Sequence, residues 1–281
     1  MDIGSNIPGS WAQRGPIALS VSVMLEGWSD ESAPGIGPMG NPLRAGVLDL
    51  QARSWADYGP KEGAWRLLDL LARNDVKAVF YVSGIIAERY PELMREIAGH
   101  GHDVAGHSWA QNILPAYLDE DAETQDITRC TRVLQETTSR RPQGWLSPRC
   151  TPSERTSALL AQAGYAWHAD TFDRDTPYHM ETQGGRLLAM PFTMEVNDMP
   201  LYVRYGNEPQ AYTHILKRIL TQWSRVSRAP ICLDLTVHAH VFGRPFGLIE
   251  LMECIRFAKT LTDEAWLTSH AELSALYRAE P

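Results

Sequence analysis

Acids, histidines, arginines and amides recur where apolar runs of this chain end. Glu26 closes the run that begins at Ile17, in VMLEGWSDE, with Asp30 and Glu31 close behind. His107 follows residues 103–105 in GHDVAGHSWAQN, and Ser147-Pro148-Arg149 follows residues 144–146. Asp170 comes after residues 165–168, and Asn197 and Asp198 come after Met190-Pro191-Phe192. His238 and His240 end the run 231–237 and lead into Gly243-Arg244-Pro245. Such residues suit hydrolysis. A carboxylate positions or deprotonates water, an imidazole carries a proton near neutrality, and a guanidinium stabilises charge on oxygen. His238 and His240, two apart, share a face if the strand extends that far. Each residue also has a plainer reading. A carboxylate after a strand commonly caps a turn, a histidine such as His102 can bond a loop, and Arg149 can be an ordinary surface group. Trp11, Trp28, Trp55, Trp109 and Trp145 either line a pocket for a planar ligand or only pack.

These residues need elements to bring them together. Residues 17–23 alternate like a strand, 65–73 have helical apolar spacing ending at Asn74, and 77–82 are β-branched and aromatic. Ser83-Gly84 opens a second helix, Pro91 starts another that ends at Gly99, and 103–105 is a brief strand. A long helix spans 119–137, with acids at its start and an arginine toward its end. Strands follow at 144–146, 165–168, 186–190, 231–237 and 266–267. Helices follow from a cap at Ser153 to Gly164, then at 209–225, 248–260 and 272–278. About seven strand-plus-helix units in series imply parallel strands with right-handed crossovers, in an open sheet or a barrel. Ligand sites of such folds lie at the C-terminal ends of the strands. Connections 27–59 and 172–185 read as loops shaping a mouth. One domain over 1–281 is expected, with 1–16 as an N-terminal extension.

Of 281 residues, 26 are Lys or Arg and 34 Asp or Glu, a net charge of −8 that argues against nucleic-acid or anionic-lipid partners. With 44% apolar and 21% charged residues the composition is globular. Cys130, Cys150, Cys232 and Cys254 form no CxxC pair and read as reduced thiols. The first residues lack a basic segment, and the apolar run 17–25 is too short to span a bilayer. The expectation is a cytoplasmic protein with no membrane partner.

In order, ALSVSVMLEG, KAVFYVSG, ELMREIAGHGHDVAGHSWAQN, RPQGWLSPRCTPSERTSALLAQAGYAWHAD and LTVHAHVFGRP resemble the motifs of the polysaccharide deacetylase family, the NodB-homology group or carbohydrate esterase family four. The resemblance spans about residues 17–277. GWLSPR, DTPY at 175–178, Asn197-Asp198-Met199 and GRP resemble the branch of allantoinase-type and cyclic-imide hydrolases. It implies an α/β fold, a deformed (β/α)7 barrel, and hydrolysis of a carbon–nitrogen bond other than a peptide bond. By analogy with relatives, it also implies a homodimer or homotetramer.

Two departures from the family pattern stand out. Family deacetylases carry an Asp-Asp pair after the first strand, one acid acting as base and one binding metal; here Met24-Leu25-Glu26-Gly27 leaves one acid. The family's His-(Ser/Thr)-x-x-His motif reads His107-Ser108-Trp109-Ala110-Gln111, with glutamine in place of the second zinc ligand. Two of three ligand places are altered. Either a weakened divalent-metal site survives on Glu26 and His107, or hydrolysis proceeds with no metal cofactor, the reading favoured here. In the second case His107, Arg149 and His238 polarise the carbonyl and stabilise the oxyanion, Glu26 positions or deprotonates water, and His238 protonates the leaving nitrogen. Trp109, Gln111, Trp145, Asp170, Asn197, His240 and Arg244 are the expected substrate-binding residues. The expected substrate is a small linear or cyclic amide, imide or N-acyl compound. A zinc-dependent sugar N-deacetylase and a non-catalytic ligand-binding barrel are the alternatives.

Overall fold

A computed structural model describes residues 7–227 and 229–279, so residues 1–6 of the expected N-terminal extension lie outside it. A short helix α1 (Gly9–Ala12) precedes β1 (Ile17–Leu25), and α2 (Leu50–Tyr58) runs through a π-helical turn at Gly59–Gly63 into α3 (Ala64–Arg73). Then come β2 (Val79–Val82), α4 (Gly84–Arg89), α5 (Pro91–Gly99), β3 (Asp103–Gly106), α6 (Glu120–Thr138) and β4 (Gly144–Trp145). The chain continues through α7 (Thr156–Gln162), β5 (Trp167–Thr171), β6 (Tyr178–Thr182) and β7 (Gly185–Pro191). It closes with α8 (Gln210–Val226), β8 (Ile231–His238), α9 (Pro245–Ala258), β9 (Ala265–Thr268) and α10 (His270–Ala279).

The sheet runs β6-β7-β5-β4-β3-β2-β1-β8 and is parallel throughout except for the β6–β7 hairpin. On β1, β9 pairs with Ile17–Ser20 and β2 with Ser22–Leu25, while β8 runs along Ile17–Met24. The sheet curls until the segment after β7 meets β8. There Asn197 bridges Thr236, and Thr236 N–H donates to the Val196 carbonyl at 2.9 Å. This is the deformed barrel expected. Among the described residues no helix is long and apolar enough to cross a membrane.

Strand parity sorts the core. Ile17, Leu19, Val21, Val23 and Leu25 belong to the cluster under the helices, whereas Ala18 and Met24 belong to the inner cluster with Tyr81, Ala105, Leu146 and Phe192. Side chains alternate faces along a strand, so the inward row of β1 continues past Met24 to Glu26. The inward row of β8 likewise continues from Thr236 to His238.

Local chemistry accounts for most boundaries. Asp119 caps α6 by accepting the Ala122 N–H at 2.8 Å, and Pro91 opens α5 at the position where no amide donor is missed. Two elements lie where loops were expected. Residues 27–59 contain α2, whose LQARSWADY buries only Ala52 and Ala56 and so shows little apolar periodicity. Residues 172–185 contain β6, a half-exposed edge strand paired only to β7 and lacking apolar alternation.

Candidate active site

The inward rows converge on Glu26 at the bottom of a cavity of about 710 Å³. Glu26 Oε1 lies 3.7 Å from His107 Nε2 and 3.9 Å from His238 Nε2, and Oε2 lies 4.0 Å from His240 Nδ1. These spacings are too long for direct hydrogen bonds, and the first is short enough for one water to bridge.

The backbone fixes each ring. His107 Nδ1 lies 2.6 Å from the Leu146 carbonyl, which can only accept, so Nδ1 carries the proton and Nε2 of the neutral ring offers a lone pair. The expected role of His107 as an oxyanion donor is therefore open only to its cationic form. His238 Nδ1 meets Asp198 Oδ1 at 2.6 Å, while Asp198 Oδ2 accepts the backbone N–H of His238 at 2.7 Å and of Phe242 at 3.2 Å. Asp198 thus orients the imidazole. It stood in the Asn197-Asp198-Met199 triplet without being assigned a role, and only its position against β8 reveals one.

Burial pushes the Glu26 carboxyl upward, but the neighbouring His238, His107 and His240 outweigh it and hold it at about 2. Burial pushes His238 down, yet Asp198 and Glu26 together raise it above the ordinary imidazole value. His240 is lowered to about 3 by burial, against the pull of Glu26. Its Nε2 is buried with no hydrogen-bond partner among the described residues, and its ring stands edge-on to Trp55 at 4.5 Å and Trp28 at 5.9 Å.

Of the expected residues, Glu26, His107, Gln111, Arg149, Asn197, His238 and His240 line the cavity. Arg149 and Cys150, with φ of 55° and 52°, are consecutive left-handed residues that turn the Arg149 side chain toward the mouth. Four expected contact residues do not line it. Trp145 has the parity opposite to inward Leu146 and is fully buried in the outer cluster. Trp109 belongs to the same cluster, with the Arg129 guanidinium 3.3 Å over its ring. Asp170 has the parity opposite to inward Ala169 and accepts both the N–H and the hydroxyl of Ser147, at 2.7 and 2.8 Å, holding the turn that carries Arg149. Arg244 lines a neighbouring groove, stacked 4.0 Å over Tyr58, with Nε on the His240 carbonyl. Of the five tryptophans singled out, Trp28 and Trp55 line the cavity.

The metal implied by the family pattern does not fit these residues. Gln111 turns its amide nitrogen onto Ser83 Oγ at 3.1 Å, a bond that ties it to the turn after β2, where Ser83 also accepts the Gly27 N–H. Among the described residues no group of three or more His, Cys, Asp or Glu side chains is arranged to hold a metal ion.

Comparison with known proteins agrees with this architecture. Residues 55–168 match the polysaccharide deacetylase family model. A putative polysaccharide deacetylase of Schizosaccharomyces pombe is 25% identical over 260 residues, spanning 83% of this chain and 78% of that protein. A peptidoglycan deacetylase of Helicobacter pylori is 24% identical over 142 residues, half of this chain and 48% of that one. A probable polysaccharide deacetylase from Pseudomonas aeruginosa PAO1 superposes with a TM-score of 0.87 at 26% identity, over 99% of this chain and 96% of that one. A PuuE allantoinase does so with the same score and identity, over 98% and 95%. The fold is that of the deacetylase- and allantoinase-type hydrolases of carbon–nitrogen bonds. Residues 55–168 resemble a polysaccharide deacetylase domain.

Proposed function

We propose that this protein hydrolyses a carbon–nitrogen bond of a small amide, cyclic amide or imide, or N-acyl compound, with no step routed through a metal. The observation that carries this reading is the placing of one buried carboxylate, Glu26, between His107 and the Asp198-held His238 at the cavity floor.

A water between Glu26 Oε1 and His107 Nε2 would donate one hydrogen to each and aim its lone pair at the substrate carbonyl. A carboxylate held near 2 is a weak base, so the proton released on attack goes to His107 Nε2, while Glu26 orients the water and balances positive charge. The carbonyl oxygen, becoming negative, is stabilised by Arg149 and by cationic His238. His238 then gives its Nε2 proton to the departing nitrogen, and the carbon–nitrogen bond breaks. Trp28, Trp55 and neutral His240 form the wall against which a flat ring can stack. All four cysteines are free thiols, which supports the reducing setting of the cytoplasm.

The test is turnover by purified protein on cyclic imides, hydantoins, allantoin and N-acetyl sugars, beside Glu26→Gln and His238→Ala. Hydrolysis of at least one compound, lost in both variants and unaffected by a chelator, is the expected result. Activity that disappears with chelator and returns with zinc would overturn the metal-free steps. No turnover on any compound would overturn the hydrolase reading.

A further inference from the structure

The cavity carries a charge imbalance that attack on a neutral amide does not use. In a chain of net charge −8, the lining holds one carboxylate, Glu26, against two guanidinium groups, Arg149 and Arg204. Both arginines are exposed, and among the described residues neither guanidinium has a hydrogen-bond or ion-pair partner. Asp30 of the loop after β1 is paired instead with Arg53 and Arg89. Arg149 is assigned to the oxyanion; Arg204 is left over.

Its placement is built into the fold. Arg204 ends the π-helical turn Met199–Arg204, which begins immediately after Asp198, so one short turn grips His238 at its start and presents a cation at its end. In sheet order Glu26 stands between the segments that carry the two arginines, since Arg149 follows β4 while Asn197, just ahead of the turn of Arg204, bridges β8. Met199, Pro200 and Val203 give that side of the cavity an apolar wall, which strengthens any ion pair formed there.

We infer that the substrate carries a carboxylate on an arm away from the scissile bond, and that Arg204 binds it. The inference rests on the hydrolase reading and names the substrate class of the same site. A planar guanidinium matches a carboxylate in a two-point bond. A single free cation with no cluster of backbone donors suits a monoanion better than a phosphate. The arginine also offsets the repulsion that a second carboxylate would meet from Glu26.

Binding tests this without turnover, read by quenching of Trp28 and Trp55. Two isosteric pairs serve as probes: hydantoin-5-acetate against hydantoin-5-acetamide, and N-acetyl-β-alanine against its amide. In at least one pair the anion should bind about tenfold more tightly, the factor of one charge-assisted hydrogen bond. Arg204→Gln should collapse that ratio toward one, Arg204→Lys should keep part of it, and Arg256→Gln on the outer surface of α9 should keep it whole. No anion preference in either pair, including no binding at all, overturns the inference, as does a preference that survives Arg204→Gln. Ring opening is measured separately. An intact anion preference without hydrolysis would sink the hydrolase reading alone, and hydrolysis of both hydantoins with equal kcat/KM would sink the inference alone.

Discussion

The floor and the rim of the cavity are built by different means. At the floor, Glu26, His107 and His238 lie on the inward rows of three parallel strands, β1, β3 and β8, and backbone partners at Leu146, His238 and Phe242 fix the two rings and Asp198. At the rim, Trp28, Ile36, Arg149, Arg204 and Tyr205 come from connections between strands, and among the described residues the two guanidinium groups lack partners. The contrast teaches where each task is held. Proton transfer needs atoms fixed to a fraction of an ångström and so sits on the sheet, whereas recognition tolerates loops.

The largest effect should come from the floor. Glu26→Gln keeps the shape and removes the charge that orients water and faces both imidazoles. Its kcat/KM should fall about a thousandfold with an unchanged circular dichroism spectrum; a loss below about tenfold would move the chemistry elsewhere. Asp198→Asn should lower kcat about 10–100-fold. It should also cost about 1–3 kcal/mol in denaturant unfolding, because an amide N–H can then face the N–H groups of His238 and Phe242.

The same variant has a pH signature. The His238 pKa is raised, so its acid form persists to higher pH, and the rate falls as pH rises through that raised value. Removing the Asp198 charge lowers the pKa, and the alkaline limb of kcat/KM should move to lower pH by about one unit. Glu26, held at about 2, stays ionised above that pH and so contributes no acid limb in the working range.

A scaffold change should act next. A Cβ on Gly63 would lie 1.9 Å from the Ala239 carbonyl oxygen, and one on Gly243 would lie 2.1 Å from the same oxygen. Gly63→Ala therefore pushes α2 and α3 away from the turn after His238. A stability loss of about 1–3 kcal/mol by thermal melting is expected, together with reduced kcat. The smallest effect on activity should be Trp145→Phe. That ring is buried outside the barrel interior, so Tm should drop while KM stays within about twofold of wild type. A large KM change would return Trp145 to the substrate contacts.

Much of this was legible beforehand, because strands ending in chemistry-bearing residues and helices with caps leave local signals. Asn74 ends α3, Pro91 opens α5 and Asp119 caps α6 where the residue types say they should. Strand ends alone, however, do not tell which face a residue takes. Counting in twos along β1 separates Glu26 from Leu25, and the same count separates Leu146 from Trp145 and Ala169 from Asp170. That parity was available in the sequence but needs an anchor, and the curl of the sheet provides it by deciding which face is inside.

Composition, periodicity and motif order determined by themselves that this is a parallel α/β chain with acids, histidines and an arginine at the strand ends, because those properties depend on near neighbours. Tertiary structure alone decided that Asp198, some 40 residues before His238, grips its ring; that the Leu146 carbonyl sets the tautomer of His107; and that Arg204 reaches the mouth unpaired. Each of those facts joins segments far apart in the chain. Distances between such segments follow from how the sheet closes, which no local pattern encodes.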